Sequence, residues 1–162
     1  MKKFIKKIGF DSDSIIIMID DRYEFQGLKP YIFKRSNILY INYIVFKEVL
    51  GFLIKNRGFN KSQAVQKIFK FLRKNNISFI KKSQINQESF IVIFNKLKKY
   101  RKKLKNEVED EDLRIISVYK INNIDSIVSR NAYHFKPFCK YLGISFIGVK
   151  EDVDIMWRRT FG

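Results

Sequence analysis

Residues 112–135, DLRIISVYKINNIDSIVSRNAYHF, hold the first group of side chains whose types and order suit chemistry. Asp112 opens a run with helical apolar spacing at Leu113, Ile115, Ile116 and Tyr119, and Asn122-Asn123 reads as a turn. Residues 124–128 then read as a short strand that delivers Ser129 and Asn131 at its carboxyl end. Ligands of open α/β sheets sit outside the carboxyl ends of the strands, so this segment gathers an acid, a hydroxyl and an amide at a sheet rim. Two further acids are candidates to meet them. Asp11, followed by Ser12, Asp13 and Ser14, ends an apolar segment around Phe4, Ile5, Ile8 and Phe10. A strand ending there puts an acid and a hydroxyl at the rim, although a turn built by Asp and Ser accounts for the same residues. Glu48 lies on the shoulder of an apolar helix face, one turn from Val45 and Phe52. It needs a compensating lysine or metal there, unless its edge is solvated.

The elements that must position these groups follow from the apolar periods. Residues 38–41 read as a strand, and Asn42 as the cap of a helix to about residue 55 with its stripe at Phe46, Val49, Leu50 and Leu53. A helix over 62–75, a strand over 77–80, a helix over 87–105, a short helix over 137–142 closed by Gly143, and a strand over 144–149 complete the order. Residues 20–36 form a polar connector carrying Gly27 and Pro30, with 31–33 a short extended piece. The alternation predicts an α/β protein, with a central parallel sheet of about four to five strands flanked by helices on both faces. A chain of 162 residues suits one domain, here 1–162 with a lysine-rich helical segment at 61–105; at 46% apolar it has material for a core, against disorder. The tail 151–162, with Asp152, Asp154, Trp157, Arg158 and Arg159, has no assigned place.

A net charge of +17 points to a polyanion, because each phosphate neutralised by Lys or Arg releases condensed counterions. A chain this rich in Lys, Ile, Asn, Phe and Tyr also fits a coding bias, so charge alone names no partner. The sharper signal is KLKKYRKKLK at 96–105, where Lys98, Lys99, Arg101, Lys102, Lys103 and Lys105 crowd one helix. Such like charges repel unless an anion is near, although a solvated helix face is the plain alternative. Tyr100, between them, is the best-placed ring for stacking on a base. The sign then flips at Glu107, Glu109, Asp110, Glu111 and Asp112. Acids at a helix start complement its dipole, and that covers part of the cluster. Basic residues beside tight acids also fit carboxylates that hold divalent cations within a rim that holds nucleic acid.

Cys139 is the only cysteine, which excludes an internal disulfide and a multi-cysteine zinc site. Its one possible base, His134, is five residues away and so about 140° around a helix, leaving a buried thiol as the better reading. No apolar run, residues 15–19 included, approaches the roughly 20 residues of a membrane span. The first residues lack the core and cleavage site of a secretory signal, so a cytoplasmic location is expected.

Placed in this order, four pieces resemble the PIN-domain nucleases: Asp11-Ser12-Asp13 after the first strand; Glu48 in YIVFKEVLGFL; Asp112 with Ile115; and Ser129-Arg130-Asn131 with His134-Phe135, followed by LGI. The resemblance spans most of the chain and implies a PIN-like three-layer α/β/α fold. It implies Asp11, Glu48 and Asp112 as ligands of Mg²⁺ or Mn²⁺, with Asp110 as the substitute for Asp112. Ser12 and Ser129 would orient ligands, Asn131 would supply an uncharged oxygen or a hydrogen bond, and Arg130 with the basic helix would grip the backbone. The activity implied is endonucleolytic hydrolysis of RNA, single-stranded or looped, by in-line attack of water. Family members often dimerise, and often pair as toxins with a neutralising protein, which for this chain would be acidic. Asn131 departs from the aspartate that many members carry, and so lowers the negative charge. That departure leaves open a binding protein on the same fold that does not cleave.

Overall fold

Among the described residues every strand is short, and two of the three inner ones are buried over most of their length. In the computed structural model, which describes residues 5–20, 26–27 and 29–149, they are β1 (Lys6–Phe10) and β4 (Ser126–Ser129). All four residues of β4 and the last three of β1 are buried, the signature of parallel strands covered on both faces. With β2 (Asn37–Asn42), β3 (Ile77–Ile80) and β5 (Ser145–Gly148) they form one parallel sheet of order β3-β2-β1-β4-β5. Helices cover both faces, as expected. The chain winds from β1 through β2 to β3 on one side, then returns to β4 and β5 on the other. The winding reverses between β1 and β4, where the register pairs Phe10 with Val128. In an open α/β sheet that reversal opens a crevice beyond the carboxyl ends of the two strands.

The helices are α1 (Ser12–Ile19), α2 (Lys29–Ile32), α3 (Tyr43–Arg57), α4 (Lys61–Lys74), α5 (Gln87–Leu104), α6 (Asp110–Ile121) and α7 (Ala132–Leu142). Asparagine starts four of them. Asn42 accepts from the amides of Ile44 and Val45, Asn60 from Gln63, Asn86 from Ser89 and Asn131 from His134, each meeting a donor the first turn leaves unpaired. Asn42 is fully buried and also donates to the carbonyl of Ile115 at 3.3 Å, tying α3 to α6. Gly58 and Gly143 close α3 and α7 in the left-handed conformation.

Several boundaries differ from the sequence expectation. Residues 29–32 are helical rather than extended, since Pro30 falls in a first turn where its missing N–H costs nothing. The helix bearing Asp112 begins two residues earlier, at Asp110, and β4 runs from Ser126 rather than from residue 124. Helix α7 begins at Ala132 and passes through Pro137, instead of starting there. Asn131 caps it, and the Tyr133 carbonyl that Pro137 cannot reach accepts from Asn106 Nδ2 at 3.3 Å. Leu104 is 40% exposed at the end of α5. Phe4, residues 21–25, residue 28 and the tail from residue 150 lie outside the described residues.

Among the described residues Tyr119 of α6 is the largest fully buried side chain. Its ring lies against Gly9, where a Cβ would come within 2.7 Å of the ring carbons. Its hydroxyl donates to the carbonyl of Phe10, with Tyr40 O a second acceptor at 3.3 Å. One side chain thus joins the carboxyl ends of β1 and β2 just below Asp11. Among the described residues no helix is long and apolar enough to cross a membrane.

Candidate acidic site at the sheet reversal

Asp11 follows β1 directly and is only 3% exposed. Its backbone N–H continues the β1–β4 ladder by donating to Val128 O at 3.1 Å. Its Oδ1 accepts from Ser14 N at 2.8 Å, the cap of α1, and its Oδ2 accepts from Ser129 Oγ at 2.6 Å. Burial pushes its pKa up to about 7, against the pull of these hydrogen bonds.

The remaining expected residues lie around this acid in two sets of polar contacts. Ser129 Oγ also accepts from the amide of Asn131 at 2.9 Å, and Asn131 Nδ2 lies 2.9 Å from His134 Nδ1. That ring nitrogen lies 3.3 Å from Asp112 Oδ2. On the other side Ser12 Oγ, next in the chain to Asp11, donates to Glu48 Oε1 at 2.8 Å. Burial raises the pKa of Glu48, and the charges of Asp112, Glu111 and Asp13 raise it further, while Ser12 opposes them. Burial likewise raises Asp112, with His134 the main counterweight. Asp11, Ser12, Glu48, Asp112, Ser129 and Asn131 therefore stand together, drawn from α1, α3, α6 and the end of β4.

Asp110 and Asp112 are separated by what they touch. Asp110 binds Arg101 at 2.6 Å, and that guanidinium holds its carboxyl below the usual range. Arg101 also donates to Val108 O at 3.0 Å, so it braces the turn from α5 to α6 instead of presenting a free charge to phosphate. Tyr100 is likewise taken: it stacks on Tyr141 at 4.3 Å and meets Phe138 edge-on. Lys98 lies over the Phe94 ring, whereas Lys99, Lys102, Lys103 and Lys105 are exposed at the same end of α5. Cys139 is buried, and its thiol is pushed up to about 12 by burial, which makes it inert as a nucleophile.

Asp13 was not singled out from the sequence. It is exposed in the first turn of α1 and lines a cleft of about 360 Å³ with Ile16, Ile17, Phe52, Arg130 and Asn131. The signal available was the spacing in Asp11-Ser12-Asp13, because residues two apart at a helix start face different ways.

The donor set suits a hard divalent cation: carboxylate oxygens, an amide and hydroxyls, with one imidazole. Among the described residues no three acid, histidine or cysteine side chains close on one point as a ready-made cage. The fit is to an ion held by one or two carboxylates that keeps several of its waters, as Mg²⁺ does.

No family model and no curated protein sequence matches this chain. Solved structures do match. VapBC2 from Rickettsia felis, bound to a DNA fragment from their promoter, aligns with a TM-score of 0.67 at 17% identity, over 88% of this chain and 98% of that one. DNA-bound VapBC from Salmonella typhimurium gives 0.66 at 12% identity over 89% and 98%. VapBC-1 from nontypeable Haemophilus influenzae gives 0.64 at 14% identity over 88% and 98%. At such identities the likeness is one of fold. The class it defines is the PIN-like three-layer α/β/α protein.

Proposed function

We propose that this chain is a metal-dependent ribonuclease that hydrolyses phosphodiester bonds of RNA at the β1–β4 reversal. The observation that carries the reading is the gathering of three acids at that reversal: Ser129 Oγ holds Asp11, Ser12 Oγ holds Glu48, and His134 Nδ1, 2.9 Å from Asn131 Nδ2, lies 3.3 Å from Asp112 Oδ2. Asp11, Glu48 and Asp112 would hold Mg²⁺ or Mn²⁺, which when bound supplies Lewis acidity for attack of water on the phosphodiester. The rest is the work of the chain. Ser129 and Ser12 fix the carboxylates of Asp11 and Glu48, and His134 with Asn131 fixes that of Asp112. Arg130 at the cleft and the exposed lysines of α5 hold phosphates on either side of the scissile bond.

The test is cleavage of a labelled, partly structured RNA in Mn²⁺ or Mg²⁺, with EDTA as blank. Asp112→Asn is expected to lower the rate by about 10³-fold, the several kcal/mol such an interaction provides, while RNA binding survives. Equal cleavage by the variant removes Asp112 from the mechanism. Tight binding without cleavage by either protein leaves a binding module on this fold.

A second reading concerns control. The matched structures are VapBC complexes, two of them bound to DNA, which favours a toxin-type subunit held by an acidic partner protein; a homodimer is compatible with either reading. An acidic chain that co-elutes with the protein and suppresses its cleavage supports this, and a chain active and unaccompanied in its own cell extract counts against it.

A further inference from the structure

We infer that the recess at the amino ends of β2 and β3 is a binding pocket for a nucleoside monophosphate, held by its phosphate and by the hydrogen-bond donors of its base or ribose. The recess encloses about 440 Å³, within the range of small-molecule clefts. The segment before β2 supplies Phe33, Lys34 and Arg35, β2 itself supplies Asn37 and Leu39, and the turn before β3 supplies Asn75. Leu39 pairs in register with Ile77, which brings the starts of the two strands side by side. The acidic site lies beyond the carboxyl ends of the strands, roughly 15 Å away at the rise of an extended chain. The recess is therefore a separate place, and the inference does not depend on the nuclease reading.

Two exposed cations say little by themselves in a chain with 33 basic residues. Their setting is what distinguishes Lys34 and Arg35. Among the described residues neither has an ion pair, and no acid lines the recess. A guanidinium and an ammonium at one concave surface seat a phosphate, which arginine can hold through two N–H donors. The asparagines add acceptors. Asn37 Nδ2 donates to Tyr31 O at 3.3 Å and to Ile32 O at 3.0 Å, and Asn75 Nδ2 donates to Phe71 O at 2.9 Å. Those bonds fix both amides and leave the Oδ1 of each without a donor among the described residues. A ligand that satisfies them carries N–H or O–H groups as well as an anion. Leu39, which is buried, and Phe33, which is half-buried, add apolar lining, and this suits the flat face of a base better than a sugar phosphate alone.

The experiment is equilibrium dialysis of the full chain against labelled adenosine, guanosine, cytidine and uridine monophosphates, in EDTA and at physiological salt. The unphosphorylated nucleosides and ribose phosphate are run beside them. The variants are Arg35→Gln, Lys34→Gln and a triple Lys99→Gln, Lys102→Gln, Lys103→Gln on α5, with circular dichroism checking the fold of each. At least one nucleotide is expected to bind more tightly than its nucleoside and than ribose phosphate. Arg35→Gln is expected to weaken that binding about tenfold or more, the scale of a charge-assisted pair, while the α5 triple leaves it unchanged. Failure of all four nucleotides to bind overturns the pocket. Equal weakening by the α5 triple also overturns it, because the binding then belongs to the net charge and not to the recess. Ribose phosphate binding as tightly as every nucleotide overturns the role of the base. Competition by a short RNA with a terminal phosphate, and not by the same RNA without one, upholds the pocket and makes an RNA end its source; competition by neither upholds it for the free nucleotide.

Discussion

Asp11 shows at the level of one residue how a site is held at a cost to stability. Its folded pKa lies near 7 against an ordinary 3.8, so below about pH 4 both folded and unfolded chains carry the proton and no penalty arises. Between those values the unfolded chain ionises while the folded one keeps its proton, and stability falls as pH rises. Above pH 7 the full penalty remains, at most about 4 kcal/mol for a shift of about three units. In EDTA, Asp11→Asn is therefore expected to melt above wild type at pH 8 and to lose that advantage at pH 4. An amide can keep both hydrogen bonds, accepting from Ser14 N and donating to Ser129 Oγ. Thermal melts of both proteins at the two pH values decide the point; a constant difference between them would mean that Asp11 is not the titrating group.

Among elements, the joint between β1, β2 and α6 is the part most sensitive to a small change. Gly9 is needed for close approach, since a methyl there would meet the Tyr119 ring at 2.7 Å. That ring is buried on all sides and cannot swing away. Gly9→Ala is expected to cost about 1–3 kcal/mol, the usual range for overpacking a filled core. Urea unfolding measures it, and a loss under 0.5 kcal/mol, the scale of a surface change, would show that the joint yields. Gly9 lies two residues before Asp11, so binding at the acidic site should weaken with it.

For the whole molecule, the question is what the large positive charge does. Lys99, Lys102 and Lys103 are exposed at one end of α5, while Arg101 between them is bound to Asp110 and Val108. Replacing the three lysines by glutamine should flatten the salt dependence of RNA binding by about 2 in log–log slope, from about 0.7 per phosphate contact. Arg101→Gln should instead lower the melting temperature and leave that slope unchanged. Filter binding across a salt series, with melts of each variant, separates the two. A slope that answers to Arg101 and not to the lysines would place the RNA elsewhere on the surface.

Much of this protein was legible in local chemistry. Apolar spacing identified four strands and the major helices and left β1 open against a turn, Asn42 announced its own helix, and Asp11, Glu48, Asp112, Ser129 and Asn131 were visible as polar groups at element edges. These are properties of a few neighbouring residues, set by the periods of helix and strand. Tertiary structure decided the rest, because it joins residues that the sequence keeps far apart. Ser129 meets Asp11 across 118 positions because β4 lies beside β1, and Ser12 meets Glu48 across 36 because α1 packs against α3. The same packing turned Asp110 to Arg101 and Asp112 to His134, and faced Asp13 to the cleft while burying Asp11. Sequence spacing determined which acids stood at the ends of elements. The order of the strands determined which of them share one electrostatic field, because charges couple through space and not along the chain.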